Sequence, residues 1–190
     1  MSISRTGPFR SEAARRVILE STAQLFQERG YGHLTIEGIA ARAGVGKQTI
    51  YRWWRSKGAL VAECLLEGLL LPDRLEVPNT GDVRRDLAAW LEEISRLLAG
   101  SDGEGLLRSL VAAAVEDAEV GTRLRDSLTG SASVAGRLTA AIGQSPHLRD
   151  GDRIDEMAEA LVGAVILRAL SRSNLERPDI DRLLDVVLGR

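Results

Sequence analysis

Between Leu34 and Lys57 the chain reads LTIEGIAARAGVGKQTIYRWWRSK, two short helical patterns separated by glycines, and few arrangements bury the apolar side of both. Thr35 supplies a hydroxyl N-cap ahead of a helix that carries Ile36, Ile39, Ala40 and Ala43 on one face. Gly44 stands where that helix must stop, because glycine enters the left-handed C-cap conformation at least cost. Val45 follows as an apolar plug. The next helix runs from about Lys47 to Trp54, and Ile50 and Trp54, one turn apart, face inward. Lys47, Gln48, Thr49, Tyr51, Arg52 and Trp53 are then expected to point outward. A tight glycine turn between two short helices is the pattern of a helix-turn-helix, whose second helix lies in the major groove of DNA.

The outward side chains suit that task. Gln reads an adenine edge and Lys or Arg a guanine edge, while Thr and Tyr hydroxyls donate to phosphate. Ser56 caps a further helix whose first turn holds Lys57, a cation where the helix dipole disfavours one. Two readings of Lys57 stand: a solvated surface lysine, or a clamp on a phosphate, which accounts for the misplaced charge.

From about Ala14 to Leu65 the chain resembles the DNA-binding domain of the TetR family of bacterial transcriptional regulators. The matching pieces are the Ile18–Phe26 face with Glu28-Arg29-Gly30-Tyr31 closing the first helix, Leu34-Thr35-Ile36, Ile39-Ala40, Ala43-Gly44-Val45, Thr49-Ile50-Tyr51 and Ser56-Lys57. The resemblance implies phosphate contacts from Thr35, Thr49, Tyr51 and Lys57, and base-edge contacts from Lys47, Gln48, Arg52 and Trp53. Gly46 departs from the pattern, which favours Ser or Thr as the cap of the reading helix, yet glycine is an acceptable N-cap. The expected organisation is a DNA-binding domain over residues 1–58, with 1–10 as a disordered arm, and a helical effector-binding and dimerisation domain over 59–190.

Charge points the same way. The chain holds 25 basic and 27 acidic residues, but the first sixty residues carry ten cations and four anions, 10 − 4 = +6. The remainder holds 25 − 10 = 15 cations and 27 − 4 = 23 anions, or −8. A basic head on an acidic body orients approach to a polyanion and makes affinity depend on salt. The single Cys64 rules out an intrachain disulfide and fits a reducing cytoplasm. The N-terminal residues lack the apolar core of a signal peptide and no run is long enough to span a bilayer, so the expected location is cytoplasmic. His33, His147 and Cys64 lack metal-ligand spacing, and neither histidine sits where a triad needs one; no cofactor and no enzymatic activity are expected. Glu116, Asp117 and Glu119 read as a solvated acidic surface, and Cys64 as a small buried hydrophobe.

Beyond the head, apolar residues recur with helical period and the fold is expected to be all-α, about nine helices in total. Helices are expected at Ser56–Leu70, along the Val83–Leu98 stripe, from Leu106 after a break at Gly100–Gly105, at Glu119–Ile142, at 152–171, and at 180–188 after Pro178, with a linker at Pro72–Gly81. In Leu161–Leu170 apolar residues surround most of the cylinder, so the last two helices are expected to pair with a second copy; dimeric TetR-like proteins join them as a four-helix bundle. The middle helices are expected to enclose a pocket lined by Trp90, Leu107, Leu110, Val111, Ile142, Met157 and Leu161, anchored by Arg108, Glu116 or Arg168, suiting an apolar or amphipathic effector. The function implied is a repressor released from a pseudo-palindromic operator by a small molecule. The alternative is a helical ligand- or protein-binding module with nonspecific nucleic-acid affinity.

Overall fold

The computed structural model describes residues 8–71, 76–130, 133–143, 148 and 153–189, with side chains from Glu12 onward. It is all-α, with ten helices and no strand among the described residues. No helix among them is long and apolar enough to cross a membrane. Most of the expected arm lies outside the described residues, and helix α1 (Pro8–Arg29) already begins at Pro8, in a first turn that tolerates proline. The chain divides into two compact units, the first ending at Leu70.

The first unit holds α1, α2 (Ile36–Ala43), α3 (Lys47–Tyr51) and α4 (Lys57–Leu66). Its local punctuation is as the sequence suggests. Thr35 accepts a hydrogen bond from the Gly38 N–H at 3.1 Å, Gly44 takes φ +66°, and Ser56 accepts from the Ala59 N–H at 3.1 Å. The core joins Ile18, Leu19 and Leu25 of α1 to Ile39, Ile50, Trp54, Leu60, Val61 and Cys64. Because α4 packs on α1 through that core, the unit runs to Leu70, whereas the expected boundary was residue 58. Helix α4 itself stops before Leu70: Glu67 is its C-cap and Gly68 turns left-handed.

The second unit holds α5 (Val83–Leu98), α6 (Gly100–Glu116), α7 (Ala118–Thr129), α8 (Val134–Ala140), α9 (Ile154–Leu170) and α10 (Arg177–Leu188). The helix expected over Glu119–Ile142 is two, α7 and α8, divided at Gly130. The Gly100–Gly105 stretch, expected as a break, is instead the start of α6. Only Gly100 turns the chain, while position 103 lies inside the helix and is a glycine because a Cβ there would meet the Leu97 carbonyl oxygen at 2.3 Å. Likewise α10 begins ahead of Pro178, which sits in its first turn inside a reciprocal capping box between Glu176 and Asp179. Leu87, Trp90 and Leu91 of α5, Leu138 of α8, Leu161 and Val165 of α9 and Ile180 and Leu184 of α10 meet in one core.

Candidate nucleic-acid interface

Helix α3, the expected reading helix, has barely more than one turn, and tertiary packing holds it. Ile50 and Trp54 anchor it in the core, and the Trp54 indole N–H donates to the Glu63 carboxylate of α4, which Arg15 of α1 also grips. Gln48 and Tyr51 on the helix and Arg52 at its C-cap are left exposed, Tyr51 at 53 %. Thr49 is half-buried, and Thr35 is exposed while capping α2.

Three expected contacts look different in the structure. Trp53 was expected to point outward as a base reader; it is half-buried, its indole N–H is shielded without an acceptor, and its ring lies 6.3 Å from that of Trp54. It follows α3 directly, and its side chain offers no exposed polar group. Lys47 is exposed but engaged, donating to the Glu37 carboxylate at 2.9 Å. Lys57 is neither a freely solvated lysine nor a free clamp. Its Nζ donates to the Leu34 carbonyl at 3.0 Å and lies 4.0 Å above the centroid of the buried Tyr31 ring. Those two contacts offset its unfavourable place in the first turn of α4, and an ammonium has donors left over.

Other cations of this unit brace the scaffold. Arg42 grips Glu28 with both arms, at 2.6 and 2.7 Å, and Arg16 pairs with Glu20. Arg52 and Arg55 are exposed and have no acidic partner among the described residues. Nothing local in the sequence distinguishes Arg55; only the absence of a carboxylate beside it in the fold does. His33 places Nδ1 3.2 Å from the Arg29 carbonyl, a loop contact, and His147 lies outside the described residues. Cys64 is buried against the Leu19 carbonyl, and burial pushes its thiol up to about 12.

In the second unit Trp90 and Leu161 are fully packed in the core, with Met157 and Ile142 against them. Leu107 is buried on α6, and Leu110 and Val111 are half-buried beside it. The expected polar anchors face outward instead: Arg108, Glu116 and Arg168 are exposed, Arg168 beside Asp179 at 3.7 Å. The charged pair inside is one the sequence hid. Asp86 of α5 and Arg137 of α8 are 1 % and 4 % exposed and approach to 2.7 Å; Asp86 also accepts from the Thr80 N–H and hydroxyl. Burial alone would raise the Asp86 carboxyl, but the hydrogen bonds from Thr80 and Arg137 outweigh it and hold it below its ordinary value.

Comparison with known proteins agrees with this geometry. Residues 18–64 match the family described as bacterial regulatory proteins, tetR family, and residues 77–187 match the tetracyclin repressor-like C-terminal domain. The chain is similar to the HTH-type transcriptional regulator YdeS of Bacillus subtilis (strain 168), 29 % identical over 169 residues, covering 88 % of this chain and 83 % of that protein. Among solved structures it is similar to the TetR family transcription regulator SCO0332, with TM-score 0.71, 30 % identity and coverage of 93 % of this chain and 98 % of that one. It also shares its fold with RolR, solved in complex with resorcinol, at TM-score 0.65, 16 % identity and coverage of 96 % and 89 %. The chain belongs to the TetR family of helix-turn-helix transcriptional regulators.

Proposed function

We propose that the protein is a homodimeric repressor that binds a pseudo-palindromic operator and is released from it by a small molecule. The observation that carries this reading is the free edge of α3: Gln48, Tyr51 and Arg52 are exposed on a segment that the core holds through Ile50 and Trp54. Gln48 reads a base edge, as does Lys47 once freed from Glu37. Arg52 reaches a base edge or, with Thr35, Thr49, Tyr51 and Lys57, the phosphates that fix the register.

Two half-sites one helical turn apart, about 34–36 Å, require two reading helices at fixed separation, hence a pair of chains. An apolar face supports the pairing surface. Ala160, Gly163, Leu167 and Leu170 recur with helical spacing on the open side of α9, Leu167 at 69 % exposure, and Val186 of α10 is 82 % exposed. These are the sides of α9 and α10 that their own unit does not cover.

For the effector, the half-buried apolar side chains Leu110, Val111 and Met157 support an apolar or amphipathic molecule, and the resorcinol complex of RolR, which shares the fold, supports a small one. The effector acts by population shift: it contributes only its preference for a conformation whose reading helices no longer match the half-sites.

The test is fluorescence anisotropy with a duplex selected from a random pool and a scrambled duplex of equal length, over a series of salt concentrations. Tighter binding to the selected duplex, relieved by an apolar small molecule, is the expected result. Equal affinity for both duplexes would favour a nonspecific clamp.

A further inference from the structure

Lys47 opens α3 and is the cation nearest the start of the reading surface, yet its ammonium is held by Glu37 at 2.9 Å. Glu37 stands in the first turn of α2, so the pair bridges the two helices of the helix-turn-helix. Both side chains are more than half exposed, so water and salt screen the pair and it does little for the fold. Its effect on a polyanion is larger. A carboxylate on this surface is repelled by each phosphate it nears, and the cation it neutralises displaces no counterion. The charges persist through the neutral range: the hydrogen bond from Lys47 holds the Glu37 carboxyl below its usual range, and the same bond keeps the Lys47 ammonium protonated above its own. By contrast Arg52 and Arg55, at the far end of the same segment, have no acidic partner among the described residues. The surface therefore presents open cations at one end and a neutralised one where α3 begins.

We propose that Glu37 is a specificity-determining residue, which keeps Lys47 neutralised on random DNA and releases it only to a base edge that offers a better acceptor, such as N7 and O6 of guanine. The proposal rests on the DNA-reading role given to Lys47 above. Its logic is a penalty on the wrong sequence. At a matched site the guanine edge replaces the carboxylate as acceptor; at a mismatched site Lys47 stays with Glu37 and its charge is withheld from the DNA.

The experiment measures the affinity of the full chain for a selected duplex and for random duplex across a salt series, using wild type, Glu37→Gln, Lys47→Ala and the double variant. Glutamine keeps the size and the acceptor oxygen while removing the charge. Glu37→Gln is expected to tighten random-duplex binding about two- to five-fold, the scale of an exposed pair, and to steepen the salt slope by about one counterion. Affinity for the selected duplex rises less, so the selectivity ratio falls. In the Lys47→Ala background Glu37→Gln is expected to leave the ratio unchanged. An unchanged ratio in the single variant overturns the proposal, as does an equal fall of the ratio in the Lys47→Ala background, which would mean that the carboxylate discriminates without acting through Lys47. A wild-type protein that does not distinguish the two duplexes overturns the DNA-reading assignment itself, a separate and recognisable outcome.

Discussion

The Lys57 ammonium sits 4.0 Å above the Tyr31 ring while donating to the Leu34 carbonyl, so the start of α4 is tied to the turn that joins α1 to α2. A cation fixed this way keeps its charge and loses its freedom to wander, which suits the phosphate contact proposed for it. Lys57→Ala is expected to weaken binding to all duplexes alike and to lower the salt slope by about one. Tyr31→Leu leaves the charge but removes the ring beneath it. It is expected to weaken all duplexes by about 0.5–1 kcal/mol with the slope unchanged. A change of preference at one base pair in either variant would mean that Lys57 reads sequence.

Gln48 is exposed on α3, and its side chain makes no hydrogen bond among the described residues. Gln48→Ala is expected to cost about 1–3 kcal/mol on the selected duplex and to relax preference at a single base pair. Affinities for a panel of duplexes substituted one pair at a time check this. A uniform loss over the whole panel would place Gln48 on the backbone.

Asp86 and Arg137 are sealed in the second unit, so removing one partner strands the other. Asp86→Ala is expected to destabilise the protein by about 3–5 kcal/mol, and Asp86→Leu with Arg137→Met to recover part of it, since an apolar pair of similar volume needs no solvation while the Thr80 N–H and hydroxyl still lose their acceptor. Chemical denaturation of the three proteins decides. The pH dependence has a definite sign. The folded carboxyl titrates below its ordinary value of 3.8, so its stabilisation is complete above that value and is lost as pH falls through the lower folded value. The stability gap between wild type and Asp86→Asn is therefore expected to stay flat from neutral pH down to about pH 4 and to shrink below it.

Burial raises the Cys64 thiol from 9.0 to about 12, which lowers its thiolate fraction at neutral pH about a thousand-fold. Native protein is expected to react with a disulfide reagent only as fast as it unfolds, and denatured protein within seconds to minutes. Rapid labelling of the native chain would show that α4 leaves its seat on α1.

Leu167 and Val186 are expected to be covered in the dimer. Leu167→Glu is expected to give a monomer in sedimentation while circular dichroism stays helical, and the monomer to lose most of its affinity for a two-half-site duplex. A dimer that survives this substitution and Val186→Glu would place the pairing surface elsewhere.

The parts of this molecule that are legible in the sequence are those punctuated locally. Thr35, Gly44 and Ser56 each act on a backbone group within a few residues, so the helix-turn-helix follows from the order of residues alone. The seats of Lys57 and Arg137 do not, because Leu34 is 23 residues from Lys57 and Asp86 is 51 from Arg137, and neither pairing leaves a periodic trace. Trp53 departs from the outward face because helical spacing continues to Trp54 and sets Trp53 one turn after the half-buried Thr49, beside the core side and not opposite it. Gly103 reads as a helix breaker in one dimension; only the close approach of the Leu97 backbone explains why a helix carries it.

The brevity of α3 has a consequence for descent. A segment of five residues cannot hold itself, and its form is imposed from beneath by Ile50 and Trp54. Gln48, Tyr51 and Arg52 therefore contribute almost nothing to folding. On the DNA-reading role proposed for them, drift at those three letters re-addresses the protein to another target while its architecture persists, whereas drift at Ile50 or Trp54 removes the seat of the helix. A lineage of such chains can change its address book without rebuilding the house.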